Sequence, residues 1–503
     1  MEPMFSRSWR LRFAAGALAS LLAIAALAIA PVVAAASSDG AKRDLDATGT
    51  AIQRGPVDPR IAEALGRISA AQVQHTIETL VSFYTRNTLS SMETDLPRGQ
   101  GVSAAADWIE SELKRYSAAC GGCLEVKRDT FTEPAQTGPH ARILHPTTIT
   151  NVYAVLRGAD PAQADRVVLV TGHYDSRITD VTDDHGAAPG ANDDASGVAV
   201  SLECARVLSK LKLPATLVFA AVAGEEQGLN GSAHLAKLAK SEGWQVEAAL
   251  NNDIVGGNTT PGDTLQDKSD VRVFSEGIAA TATPAEARRI VALGYDSDSP
   301  SRELARAVVD VARSYDSSSL ATALHPVLEF RTDRFLRGGD HISFNEQGFA
   351  AIRFTEWRED FNHQHQNVRV ENGVQYGDLL KFVDFRYVAR VARMNAATMA
   401  TLAAAPPEPA NVQIVTSNLN NNTTLRWTAG AGAPAGTRYE IVWRELAAPD
   451  WQRSTRAGTG QPNGAEQPYT ITLPVSKDNV IFGVRSVDAF GHRSPAVVPT
   501  PVR

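Results

Sequence analysis

Acidic and histidine side chains fall into four tight groups in the middle of this 503-residue chain. They are His173-Tyr174-Asp175, Asn192-Asp193-Asp194, Gly224-Glu225-Glu226 and Asn251-Asn252-Asp253. Each follows an apolar, strand-like run or opens a helix-like one. A carboxylate at a buried strand end is costly unless it is paired or bound to a metal. Four such places in one region imply strand ends that converge on cations. Neutral imidazole and hard carboxylate oxygens suit Zn²⁺, and they accommodate Mn²⁺ or Co²⁺. Two such ions about 3.5–4 Å apart polarise a carbonyl and hold an attacking hydroxide between them. Asp193 suits a bridging position, because the glycine-flanked loop 190–197 turns sharply into a helix. Glu225 and Glu226 are adjacent, so one can bind metal while the other takes a proton, with a pKa raised by enclosure. Asp175 is placed to hold the second nitrogen of the His173 imidazole and fix its tautomer.

Taken singly, each group has a blander explanation. Asn-Asp-Asp before a helix is commonly an N-cap. Glu-Glu ahead of a helix complements its dipole. A lone His-x-Asp is usually a solvated pair. The metal reading rests on all four occurring together at strand ends. His185, His234 and His492 read as loop or surface residues.

The elements that must position these groups alternate. Short apolar runs at 167–171, 217–222, 248–254 and 350–354 read as strands. Helical spacing covers 196–211, 231–239, 301–315 and 379–402, and an amphipathic helix spans 104–113. Strand-like pieces at 124–128 and 150–157 come earlier. This order predicts an α/β fold with a mixed, mainly parallel sheet and helices on both faces. In such sheets ligands bind beyond the carboxyl ends of the strands, where His173, Glu225, Glu226 and Asp253 lie. The proline run 406–409 reads as a linker within 405–410. Beyond it, 411–503 switches to the alternation of a small all-β sandwich.

The formal charge of −7 and ordinary 43% apolar content give no footing for nucleic acid. Arg7, Arg10 and Arg12 precede an apolar stretch at 13–30, and small residues follow at 33–37. That is the order of a secretory signal, with cleavage expected near Ala36 and the mature charge at about −9. No later segment reads as a membrane span, so a secreted or periplasmic location is expected. Residues 37–60 read as a flexible lead-in to a domain at 61–404. Export favours a disulfide between Cys120 and Cys123 over a redox or zinc role. Cys204 reads as a buried free thiol.

As a set, His-x-Asp, Asn-Asp-Asp-Ala-Ser-Gly, Gly-Glu-Glu-x-Gly-Leu-x-Gly-Ser, Asn-x-Asp and a late histidine resemble the co-catalytic di-zinc aminopeptidases of peptidase clan MH, the group of the bacterial leucyl enzymes. The resemblance covers about residues 60–403. It implies two zinc ions per chain. His173 and Asp253 would each hold one ion, and Asp193 would bridge both, joined to Asp194 by a cis bond. Glu226 would be a ligand, and Glu225 the general base. The fifth ligand would be His365, with His363 as the alternative, because the usual Thr and Asp after that histidine are missing here. Asp340 and His341 match a family segment near the substrate cleft; both are candidates for the pocket, and His341 reads as a pocket residue or as one supporting the ligands from behind, not as a ligand. The last domain resembles a fibronectin type III module through Trp427, Tyr439 and 484–491, with an expected role in binding a surface or polymer.

The leading reading is therefore an exported aminopeptidase acting on peptides with a free N-terminus. Arg331, Arg334, Arg337 and Arg353 keep a carboxypeptidase open, since a terminal carboxylate needs fixed cations. A single-zinc glutaminyl cyclase and a non-catalytic binding protein are the remaining alternatives.

Overall fold

The computed structural model describes residues 43–315, 324–457 and 468–503. The signal-like segment 1–36 lies outside the described residues. At the centre is an eight-stranded mixed sheet. Its order is Glu125–Glu133, Thr147–Leu156, Thr216–Val222, Arg166–His173, Gln245–Asn252, Ala351–Glu356, Asp270–Ser275 and His325–Glu329. The four strands from Thr216–Val222 to Ala351–Glu356 run parallel, and antiparallel pairings flank them. Arg166–His173 and Thr216–Val222 are buried along their whole length. That is why both read as unbroken apolar runs rather than alternating ones.

Helices cover both faces. Val73, Ile77, Ile109, Val198, Leu202 and Val391 fill the core on one side. Leu235, Ala236 and Phe344 fill a smaller core on the other. The helix Ala195–Leu208 lies directly on the sheet. A Cβ at Gly172 would sit 2.3 Å from the Gly197 carbonyl carbon, and one at Gly197 would sit 2.0 Å from the Asn252 oxygen. Only glycine at both positions lets the helix start so close to the ends of two strands. This contact carries Asp193 over His173 and Asp253.

Among the elements without a sequence signal are the strands Asp270–Ser275 and His325–Glu329 and the helix Pro284–Leu293. The helix has no buried residue, so its apolar spacing carries no core signal. The lead-in needs correction too. Thr50–Ala51 pairs with Arg453 and Ser454 in the C-terminal module, and the Trp443 indole donates to the Leu45 carbonyl at 2.9 Å. The first helix begins at Pro59, capped by Asp58. The expected linker is likewise packed, because Pro406, Pro407 and Pro409 are buried and Arg166 donates to the Ala405 carbonyl. Proline has no amide proton to leave unpaired, so the run can be buried cheaply.

The C-terminal module consists of a four-stranded sheet and a three-stranded sheet, the latter extended by Thr50–Ala51, around Leu425, Trp427, Ile441, Trp443 and Phe482. It docks on the helix Pro300–Tyr315 through buried charges. Arg444 pairs with Asp298 at 2.5 Å, Trp451 donates to Glu303 at 2.9 Å, and Arg306 pairs with Glu303. His492 is also buried, between Asp488 and Asp58, and not on the surface as expected. Cys120 and Cys123 form a disulfide, and Cys204 is a buried thiol, both as expected.

Burial pushes the Glu303 carboxyl up to about 7, against the pull of Arg306 and Arg444. The unfolded group releases its proton near the ordinary value of 4.5. The folded chain thus binds more protons than the unfolded one between these values, and stability falls as pH rises through the window. In melts at pH 5 and pH 8, Glu303→Gln is expected to remove up to about 3 kcal/mol of this dependence. Parallel curves for variant and parent would contradict that placement of Glu303.

Candidate metal centre

The four acidic groups converge at the carboxyl ends of the central strands. His173 ends its strand, and Asp253 follows Gln245–Asn252. After Thr216–Val222 the chain turns at Gly224, with φ of +77°. The Glu225 carbonyl then accepts from the Gly228 and Leu229 amides, and the helix Asn230–Ser241 follows. The backbone at Glu225 and Glu226 is therefore a turn and not extended, yet it still sends the two carboxylates to different places. Glu225 joins His173 and Asp253, while Glu226 joins Asp193 and His365. In each trio the potential ligand atoms lie within 4.8 Å of one another.

Asp193 links the trios. One carboxylate oxygen is 3.2 Å from His173 Nε2, and the other is 2.9 Å from His365 Nε2. The next residue, Asp194, is the N-cap of Ala195–Leu208 and accepts from the Gly197 amide at 2.8 Å. It also accepts from the His173 amide at 3.0 Å and the Ile254 amide at 3.3 Å. The capping explanation thus holds for Asp194, while its neighbour Asp193 faces the two histidines. The peptide between Asp193 and Asp194 is cis.

His365 is the histidine in the cluster. It adopts φ of +56°, uncommon for a residue with a Cβ, and its main-chain oxygen accepts from Thr179. His363 instead stacks on Phe382 with ring centroids 3.5 Å apart, and its nearest carboxylate is Asp360 at 3.8 Å.

Asp175 is buried and does more than orient an imidazole. Its oxygens accept from the Glu225 and Glu226 amides at 3.4 and 3.1 Å and from Thr88 at 3.0 Å. The nearer partner of His173 Nδ1 is the Asp175 main-chain oxygen at 3.1 Å, with the carboxylate at 3.5 Å. Asp340 and His341 are fully buried behind the site and do not line the cleft, which overturns the pocket position for both and leaves His341 in its other expected place, supporting the ligands from behind. His341 Nε2 meets the Thr332 carbonyl at 2.8 Å. Arg353 is also buried, paired with Asp253 at 2.9 Å and Asp333 at 3.2 Å, so it serves the site from behind.

Two supporting residues have no motif signal. Asp378 accepts from the Asn192 and Asp193 amides, at 2.7 Å to the latter, and so holds the loop that carries Asp193. Arg86 is fully buried and donates to the carbonyls of Leu80, Tyr174, Pro189 and Gly190. It ties the loop after His173 to the loop before Asp193.

The side chains fit cations. His173 Nε2 and Glu226 Oε1 are buried with no hydrogen-bond partner among the described residues. Burial alone would lower the His365 imidazole, but Glu226 and Asp193 push it up to about 10. His173 is raised well above its ordinary value by Asp175, Asp193 and Asp253, again against burial. Burial also pushes the Glu225 carboxyl well up, opposed by His173 and reinforced by Glu226 and Asp253. Acids this crowded demand positive charge, as protons or as metal, and a metal displaces the protons. Oxygen and imidazole donors with no thiolate match Zn²⁺.

The profile of Peptidase family M28 matches residues 151–372, a span that contains both trios. A probable zinc metalloprotease of Leptosphaeria maculans is 43% identical over 455 residues, covering 90% of this chain and all of that protein. Among solved structures, the LapA aminopeptidase of Legionella pneumophila superposes with a TM-score of 0.47 at 18% identity, over 71% of this chain and 78% of its own. The Macrostomum lignano glutaminyl cyclase does so with a TM-score of 0.47 at 14% identity, over 72% and 98%. From the family profile and the near full-length identity, the chain belongs to peptidase family M28.

Proposed function

We propose that the protein is an exported zinc exopeptidase that removes N-terminal residues from peptides. The observation that carries this reading is Asp193, whose two oxygens face His173 and His365 from opposite sides. His173 and Asp253 would hold one zinc ion, Glu226 and His365 the other, and Asp193 both. When bound, the ions supply Lewis acidity toward the scissile carbonyl and make water acidic enough to attack at neutral pH. Glu225, on the cleft wall and half-buried, is the residue that accepts the water proton at its carboxylate and returns it to the leaving amine. Asp175 positions it through the Glu225 and Glu226 amides.

The full set of five ligands favours this over a one-zinc cyclase, and an enclosed Glu225 favours it over a non-catalytic binding protein. Export rests on the charged, apolar and small-residue order of 1–36. Among the described residues no helix is long and apolar enough to cross a membrane. The two-sheet module keeps its reading as fibronectin type III-like, serving attachment to a surface or polymer.

The test is hydrolysis of a leucine chromogenic amide beside its N-acetylated counterpart. Cleavage of the free amide alone is expected. Cleavage of only the blocked compound would overturn the aminopeptidase assignment.

A further inference from the structure

Beside the candidate metal centre is a cleft of about 800 Å³. Its acidic lining residues are Asp193, Glu225, Glu226 and Asp253, all members of the two trios. Apart from the His365 imidazole, every other charged side chain on its wall is an arginine: Arg142, Arg177, Arg334 and Arg337.

These four guanidiniums are not equally neutralised. Arg334 is held by Asp333 at 3.0 Å and Glu359 at 2.8 Å. Arg337 reaches the same Glu359 at 3.1 Å, and Arg272 takes its other oxygen at 3.0 Å. One carboxylate thus serves three cations, and the Arg337 side chain remains 30% exposed. Arg337 also donates to Gln364, the residue before His365. Arg177 donates to main-chain carbonyls, and its ion-pair contact is with Glu226 at 4.0 Å. Arg142 donates to the Glu226 main-chain oxygen at 2.9 Å and forms no ion pair among the described residues. Once Glu226 is committed to a metal, Arg177 loses the one ion pair it has among the described residues, and Arg142 has none there.

The surplus is also one-sided. Arg142 and Arg177 flank Glu226, and Arg337 flanks Gln364 and His365. All three therefore surround the Asp193–Glu226–His365 trio. With a low-dielectric wall behind them, like charges at a cleft mouth focus the field on an incoming anion. Guanidinium also suits a carboxylate in particular, through paired N–H donors.

We infer that Arg142, Arg177 and Arg337 form a carboxylate-binding subsite on the His365 side of the cleft, so that the enzyme selects peptides carrying a carboxylate next to the scissile bond. The inference rests on the peptidase reading of the same site and deepens it. The carboxylate is supplied by an acidic side chain or by the chain terminus.

The experiment compares kcat/KM of the zinc-loaded full chain on Leu-Gln-amide, Leu-Glu-amide, Leu-Gln free acid and Leu-Lys-amide. At least one of the two carboxylate-bearing substrates is expected to exceed Leu-Gln-amide by about tenfold or more, the scale of one charge-assisted hydrogen bond. Preference for the Glu amide identifies a side-chain site, and preference for the free acid a terminal one. Leu-Lys-amide should be the poorest substrate. Arg177→Gln and Arg337→Gln should each collapse the carboxylate-to-amide ratio toward one. Calorimetric titration with N-acetylglutamate against N-acetylglutamine amide, which carries no carboxylate, gives a readout independent of turnover, with the acid binding more tightly and losing that advantage in either variant. Hydrolysis of all four peptides at similar rates, or equal binding of the two acetyl compounds, overturns the inference and leaves the peptidase reading standing. If no peptide is cleaved, the peptidase reading fails, and the titration alone decides whether the subsite exists.

Discussion

Glu225→Gln is expected to lower kcat by about 10²–10⁴-fold while the bound metal stays. Glutamine keeps the shape and one oxygen of the side chain but cannot take a proton. The backbone of this residue is fixed independently of its carboxylate, by the Asp175 contacts and by the Gly228 and Leu229 amides on its carbonyl. The substitution should therefore leave the turn and the Glu226 carboxylate in place. Metal content separates the two roles open to Glu225, because it also lies within ligand range of His173 and Asp253. An inactive variant with full metal identifies a proton carrier. An inactive variant that has lost zinc identifies a ligand, and an active one removes Glu225 from the chemistry.

Asp193→Asn should have the larger effect on the metal itself. Each Asp193 oxygen faces one histidine, at 3.2 and 2.9 Å, so this one carboxylate reaches both trios. An amide puts an N–H₂ group toward one of them and removes the shared charge. Bound zinc is expected to fall from two ions to at most one, and activity to fall below detection. Stability should follow, because a ligand at 100–1,000 times its Kd contributes about 3–4 kcal/mol that a chain unable to bind it forgoes. Metal analysis with melts in zinc and in chelator checks this. A variant that keeps two ions and a zinc-dependent melting point would contradict the bridging role.

What could be read in the sequence follows from where the information lies. His173, Asp193, Glu226 and Asp253 stand beside apolar runs or helix starts, and the residue types alone name the chemistry. The parallel strands were legible because burial on both faces makes them continuous apolar runs. His365 was only narrowed to a pair, since spacing cannot show that His363 turns away to stack on Phe382. Asp378 and Arg86 were invisible, because each acts on main-chain groups distant in sequence and neither belongs to a local pattern. The pocket position expected of Asp340, and of His341 as one of two, fails for a related reason. A polar segment near a site reads the same whether it faces the cleft or the core behind it. The lead-in and the proline run looked like free chain, because their partners, Ser454, Trp443 and Arg166, lie far along the sequence.

The central claim is that one carboxylate, Asp193, joins two cation sites. Elemental analysis of the purified protein, with anomalous diffraction at the zinc edge, tests it most directly. The expected result is two zinc ions per chain, one at His173 and Asp253, the other at Glu226 and His365, with Asp193 contacting both. A single ion, or a second ion that leaves Asp193 or His365 unbound, would contradict it.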